Sequence, residues 1–108
     1  MSHPEIYILN CIVVGQHVPF SIKIEKNETV GRLKDLIKQK SGIKFLAKLL
    51  TLYHVEIAAD EDMLERVKDE MSKNPKALNP LKELGRIFDG DPKEETLHII
   101  VQPPPTSE

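Results

Sequence analysis

Chemistry in this 108-residue chain would have to come from one cysteine, four histidines and a run of cations. Cys11 sits in the apolar run Cys11-Ile12-Val13-Val14, with no positive neighbour to hold a thiolate, so its expected place is the core. A lone cysteine also excludes an internal disulfide and a cysteine-based zinc site. His3, His17, His54 and His98 lack the spacing of metal ligands, and no serine or cysteine stands near a base that could activate it. Gly15, Gly31, Gly42, Gly85 and Gly90 are too scattered to cradle a phosphate after a strand. The residues therefore imply no cofactor, no metal and no catalytic constellation.

Arg32, Lys34, Lys38, Lys40, Lys44 and Lys48 form the cationic run, with Asp35 the only acid between Arg32 and Lys48. Such a patch could meet phosphates, and Arg32, Lys34 and Lys38 are its candidate contacts. It has no interleaved aromatic residues on which bases would stack. A solvated helix face, balanced by acidic residues further along, is the plainer reading. The net charge of −2 supplies no bulk attraction to nucleic acid or to an anionic membrane. Ile6 to Val14 is too short to span a bilayer and is interrupted by Asn10. No basic leader or cleavage site marks it as a secretory signal.

The elements that would position these residues follow from periodicity. With 40% hydrophobic residues, the length suits one domain with a modest core. Glu5 to Val14 predicts a first strand and Pro19 to Glu25 a second, joined as a hairpin. Placing the Asn10 amide outside turns Tyr7, Leu9, Cys11 and Val13 inward. Ile6, Ile8, Ile12 and Val14 are then left outside, an unusually apolar set. Thr29 caps a helix carrying Val30, Leu33 and Ile37 inward, which ends at Ser41-Gly42. Gly31 weakens that helix by about 1 kcal/mol relative to alanine, a cost that implies a close packing approach. Leu49 to Val55 predicts a third strand with Leu50 and Leu52 inside and Thr51 and Tyr53 outside.

Ala59 to Lys73 predicts an amphipathic helix, with Leu64, Val67, Lys68 and Met71 beneath an acidic coat. Pro80 is expected to open a short helical turn that offers Leu81, Leu84, Ile87 and Phe88 to the core. After an Asp89-Gly90-Asp91-Pro92 turn, Thr96 to Val101 alternates as the last strand, with Leu97, Ile99 and Val101 inside. Pro103, Pro104 and Pro105 stop it and predict a stiff linker over 103–108, after a domain over 1–102.

This order of elements is that of an α+β ubiquitin-like β-grasp: a mixed four- or five-stranded sheet on one main helix, with a further amphipathic helix before the last strand. Phe20-x-Ile22-x-Ile24, then Thr29-Val30 with Leu33, Ile37, Lys40 and Gly42, resembles ubiquitin's second strand and helix. Prolines stand where a conjugating protein would carry a diglycine tail. Cys11-Ile12-Val13-Val14-Gly15, Thr29-Val30-Gly31-x-Leu33-Lys34 and Leu52-Tyr53-His54-Val55 resemble the N-terminal domain of Crinkler effectors in order and spacing. Two motifs coincide with it: Phe45-Leu46-Ala47-Lys48 is similar to the end of that family's translocation element, although Gly42 and Lys44 replace its leucines. His98-Ile99-Ile100-Val101, with Pro104 beyond, is similar to its closing motif.

The resemblance implies a non-catalytic, non-conjugated header that accompanies delivery into a host cell and binds proteins there. A C-terminal effector domain absent from these residues would then act, often in the host nucleus. The outer sheet face is the expected interaction surface for a host protein or a second copy, through Ile8, Ile12, Thr51, Tyr53, His98 and Ile100. Two alternatives stand beside this one: a fragment of a nuclease or kinase effector whose catalytic domain lies C-terminal, and a nucleic-acid module using the basic helix.

Overall fold

The computed structural model describes residues 6–88 and 92–104. The expected start of the first strand at Glu5, all but Pro92 of the Asp89-Gly90-Asp91-Pro92 turn and the tail from Pro105 lie outside the described residues. Strands β1 (Ile6–Val13), β2 (Phe20–Glu25), β3 (Thr51–Ala58) and β4 (Thr96–Gln102) form one mixed sheet in the order β2-β1-β4-β3. β1 runs antiparallel to β2 and parallel to β4, and β3 runs antiparallel to β4. This is the β-grasp arrangement, with four strands among the described residues.

Helix α1 (Val30–Ser41) packs on one face of the sheet. Its buried Val30, Leu33 and Ile37 meet Tyr7, Leu9, Cys11 and Val13 from β1 and Ile22 and Ile24 from β2. The helix starts where three orphan amides, Val30, Gly31 and Arg32, find acceptors outside the helical ladder and Leu33 makes its first regular bond. Val30 and Gly31 donate to the carbonyls of Lys82 and Pro80, while Arg32 and Leu33 donate to the hydroxyl and carbonyl of Thr29. Gly31 permits that approach, since a Cβ there would lie 3.3 Å from the Pro80 oxygen. Gly42 ends the helix in the left-handed conformation at φ 72° and returns its amide to Lys38.

Helix α2 (Met63–Ser72) covers the other face. Met63 and Val67, flanked by Leu64 and Met71, pack on Ile12, Val55, Ile57, Leu97 and Ile100. Burying a side chain such as Val67 or Met63 contributes about 1.5–3 kcal/mol each. The ion pairs found on α2, Arg66 with Asp60 and Lys73 with Asp69 and Glu70, join it only to itself and its own leading turn. Apolar contact is what seats it, because exposed pairs of this kind contribute little.

Three local expectations need correction. Leu81 is 83% exposed rather than in the core, and Pro80 does not open a helix. Asn79 instead accepts from the Leu81 amide in a side-chain turn, and the only helical turn here is a 3-10 turn at Leu84–Arg86. Leu97 belongs to the α2 side, because three steps of β3 from His54 to Ile57 stand against two of β4 from Ile99 to Leu97, which breaks the strict alternation of β4.

Candidate functional site

The outer sheet face is not the open surface its sequence pattern implies. Ile12 and Ile100 are fully buried beneath α2, and Thr51 and Tyr53 are only partly exposed. Of the six residues expected there, Ile8 alone is well exposed, at 53%. The correction has a simple cause: α2's apolar stripe needs a partner surface, and the β-branched outer face of β1 and β4 supplies one. The expected patch is therefore split, with one half sealed and Ile6 and Ile8 left beyond the helix.

His98 departs furthest from expectation. It is only 2% exposed and lies between strands rather than outside them. Its Nδ1 accepts from the backbone N–H of Asn10 at 2.9 Å, and its Nε2 lies 2.7 Å from the Lys93 carbonyl, which can only accept. The ring is therefore a neutral imidazole with its proton on Nε2. Asn10 extends the network: its Nδ2 donates to the Thr96 carbonyl at 2.7 Å, and its Oδ1 accepts from the Ser21 hydroxyl at 2.7 Å. Phe88 stands edge-on to His98, His54 and Tyr7, with ring centroids 6.1, 4.6 and 5.5 Å away. Burial holds both His98 and His54 below the ordinary histidine range, with Glu56 opposing the shift. The rest of the closing motif, Ile99, Ile100 and Val101, is buried strand, and Pro104 is half-buried beyond it.

The translocation-like residues occupy the bend between α1 and β3. Phe45 and Ala47 are half-buried, whereas Lys48 is exposed and Leu46 is 57% exposed. Ala47–Leu49 forms a 3-10 turn that closes with the Leu50 amide on the Ala47 carbonyl. Leu46 and Leu49 are thus exposed leucines beside Lys44 and Lys48.

The secondary basic patch does not assemble as a surface. Lys34 is buried along its stem, and burial lowers its ammonium's pKa. Lys38 donates its Nζ to the Ile43 carbonyl at 3.0 Å, and Arg32 pairs with Glu28 at 3.9 Å. Arg32 and Lys38 border one shallow hollow together with Asp35. Cys11 is fully buried and its thiol is pushed up to about 12 by burial, so it is no nucleophile. Among the described residues, no three His, Cys, Asp or Glu side chains converge to hold a metal, and no helix is long and apolar enough to cross a membrane.

Two concavities escaped the sequence. An apolar groove of ≈ 760 Å³ lies between α2 and the β1–β2 turn, where Ile12, Val14, Leu64 and Met71 meet. A cleft of ≈ 340 Å³ opens between the start of β1 and Pro92 to Glu95. Neither has a signal in spacing, because each is bounded by segments far apart in the chain.

Solved structures similar to this one share its fold at low identity. The C-terminal ubiquitin-like domain of mouse tubulin-specific chaperone e matches with a TM-score of 0.60 and 15% identity, covering 100% of this chain and 96% of that one. The ubiquitin of Caldiarchaeum subterraneum matches with a TM-score of 0.58 and 14% identity, covering 96% of this chain and 100% of its own. Crinkler effector protein 1 of Rhizophagus irregularis is 30% identical over an alignment of 101 residues that covers 89% of this chain. The chain spans about a fifth of that relative, 21% of its length. Residues 8–102 match the Crinkler effector protein N-terminal domain. That span takes in all of the sheet but the first two residues of β1, both helices, the exposed Phe45 to Lys48 bend and the buried His98, so the chain belongs to the Crinkler effector N-terminal domain family.

Proposed function

We propose that this domain is the non-catalytic, non-conjugated header of a Crinkler-type effector, serving delivery into a host cell and protein–protein interaction there. The observation that carries the reading is the bend at Phe45 to Lys48, which exposes Leu46 and Lys48 and half-buries Phe45 and Ala47, in a chain of this family. Leu46 and Leu49 stand exposed together on it, rimmed by Lys44 and Lys48, and a grouped apolar pair with a polar rim supports recognition at this bend. Gln102-Pro103-Pro104 supports the non-conjugated part, since a stiff proline segment replaces a flexible tail. The variable domain that follows in such effectors would carry the activity, in the host nucleus.

The test is delivery of the full effector chain fused to a fluorescent reporter, comparing wild type with a Leu46→Ser, Lys48→Glu double variant. Reporter signal inside host cells should fall several-fold while the melting temperature stays within a few degrees, because both side chains are exposed. Equal delivery by the two proteins would sink the reading of this bend.

A further inference from the structure

The parallel ladder between β1 and β4 spans only Cys11 to Val13 opposite Ile99 to Val101. Before it, the Asn10 amide donates to the His98 ring instead of to a β4 carbonyl. An amide aimed at β4 points away from β2, so Asn10 and Ser21 form a non-hydrogen-bonded pair of the β1–β2 ladder. Alternation makes Ile8–Lys23 and Ile6–Glu25 pairs of the same kind. The Ile8 N–H and C=O therefore face the side that β4 has left, and among the described residues they meet no partner there.

The opposite wall is held back. Its Lys93 carbonyl is committed to His98, and its Glu95 carbonyl to the Ala59 amide at 3.0 Å, with Glu95 in the left-handed region at φ 55°. Those bonds keep Pro92 to Glu95 from swinging in to zip the ladder shut. The result is a fork, plugged at its apex by the Asn10 and His98 side chains and open beyond as the ≈ 340 Å³ cleft. Ile6 at 58% and Ile8 at 53% exposed form its apolar lip.

We infer that this fork is a binding site for one extended peptide segment of a partner protein, which adds as a short strand to the free edge of β1. An unpaired backbone donor and acceptor on a fixed strand select a β-strand ligand. A second copy of this domain does not fit, because its edge strands carry a sheet behind them while the cleft is walled on both sides. The charges around it, Lys23, Glu25, Lys93, Glu94 and Glu95, are of mixed sign, so apolar side chains at alternate positions, packing on Ile6 and Ile8, would set the preference. The site is independent of the delivery reading, since it uses no residue of the Phe45 to Lys48 bend.

Amide hydrogen exchange read by NMR, with a pool of end-blocked hexapeptides alternating valine, isoleucine or tyrosine with threonine, tests it. In the free protein the Ile8 amide should exchange at least 10-fold faster than that of Leu9, which faces β2. A bound peptide should slow Ile8 at least 10-fold and leave the amides of α2 unchanged. Ile8→Pro removes the donor that faces the fork together with the Ile8 side chain of its lip, and should abolish that binding while the β1–β2 ladder persists; Ile8→Ala, which keeps the donor, should weaken the binding without abolishing it. Three results would each overturn the inference: an Ile8 amide already protected in the dilute free protein, protection that appears only as protein concentration rises, or no protection by any peptide in the pool. The exchange measurement stands even if Ile8→Pro does not fold.

Discussion

Replacing His98 with alanine isolates the network that joins β1 to β4 and the loop before it. The change leaves the Asn10 amide without its acceptor and the Lys93 carbonyl without its donor. A buried backbone group left unpaired costs about 1–3 kcal/mol, with the carbonyl nearer the surface at the low end. Together with the lost ring contact to Phe88, the expected destabilisation is about 3 kcal/mol. At about 4–8 °C per kcal/mol for a domain of this size, the melting temperature should fall by about 12–24 °C. The same network predicts acid sensitivity. Protonation turns Nδ1 from acceptor to donor and sets it against the Asn10 N–H. Burial lowers the folded pKa of His98 and of His54, so below the ordinary histidine value of 6.5 the unfolded chain binds more protons than the folded one. Stability is then complete above that value and declines as pH falls through it, by at most about 1.4 kcal/mol per pH unit for the buried His98 imidazole, with exposed His54 adding only a solvent-screened fraction of that. Urea denaturation of wild type and His98→Ala between pH 7.5 and 5 measures both effects. A loss below about 1 kcal/mol at pH 7.5, or an undiminished pH dependence in the variant, would refute the assignment of His98 as the strand-joining acceptor.

Ile100→Asp should unfold the domain rather than merely block a partner, since an unpaired carboxylate between the sheet and α2 costs more than about 4 kcal/mol; a folded variant by circular dichroism would mean that α2 does not seal this face. Thr29→Ala removes the side-chain acceptor of the Arg32 amide and should lower stability by about 1 kcal/mol, read as a shift in the urea midpoint with an unchanged slope. Cys11 should resist alkylation at pH 8.5 in the native protein and react promptly in urea, because burial raises its thiol to about 12; rapid labelling of the native state would contradict its core position.

Most of the sheet and of α1 could be read from the chain because each rests on local rules. Asn10 fixed the facing of β1, and it does lie on the outer side, satisfied by Ser21 and Thr96. Thr29 and Gly42 marked the helix ends through capping chemistry alone. The place of α2 was not legible in the same way. Its stripe declares that one face must be buried but not against what, and the apolar outer residues of β1 and β4 could equally have served a partner. His98 misled for a related reason. Period-2 alternation put it outside, whereas a register shift in the neighbouring strand and the early end of the β1–β4 ladder draw it between the strands. Leu81 failed because Asn79 captures its amide and commits the Pro80 and Lys82 carbonyls to α1, which turns the side chain out.

These displacements share one origin at Asn10 and His98. On one side of that pair, Ile12 of β1 and Val14 just after it pack with α2, and the backbone ladder to β4 is intact. On the other side, Ile6 and Ile8 lie exposed and the ladder is absent. A strand paired to β4 along its whole length would leave neither a cleft nor an unpaired edge, and α2 would then have closed most of the outer face. Substituting side-chain hydrogen bonds for ladder bonds at Asn10 and His98 satisfies the polar groups at that point while stopping the sheet from zipping further. The surface that this domain can offer a partner is thus moved away from the centre of the sheet, to the open end of β1 and to the bend after α1.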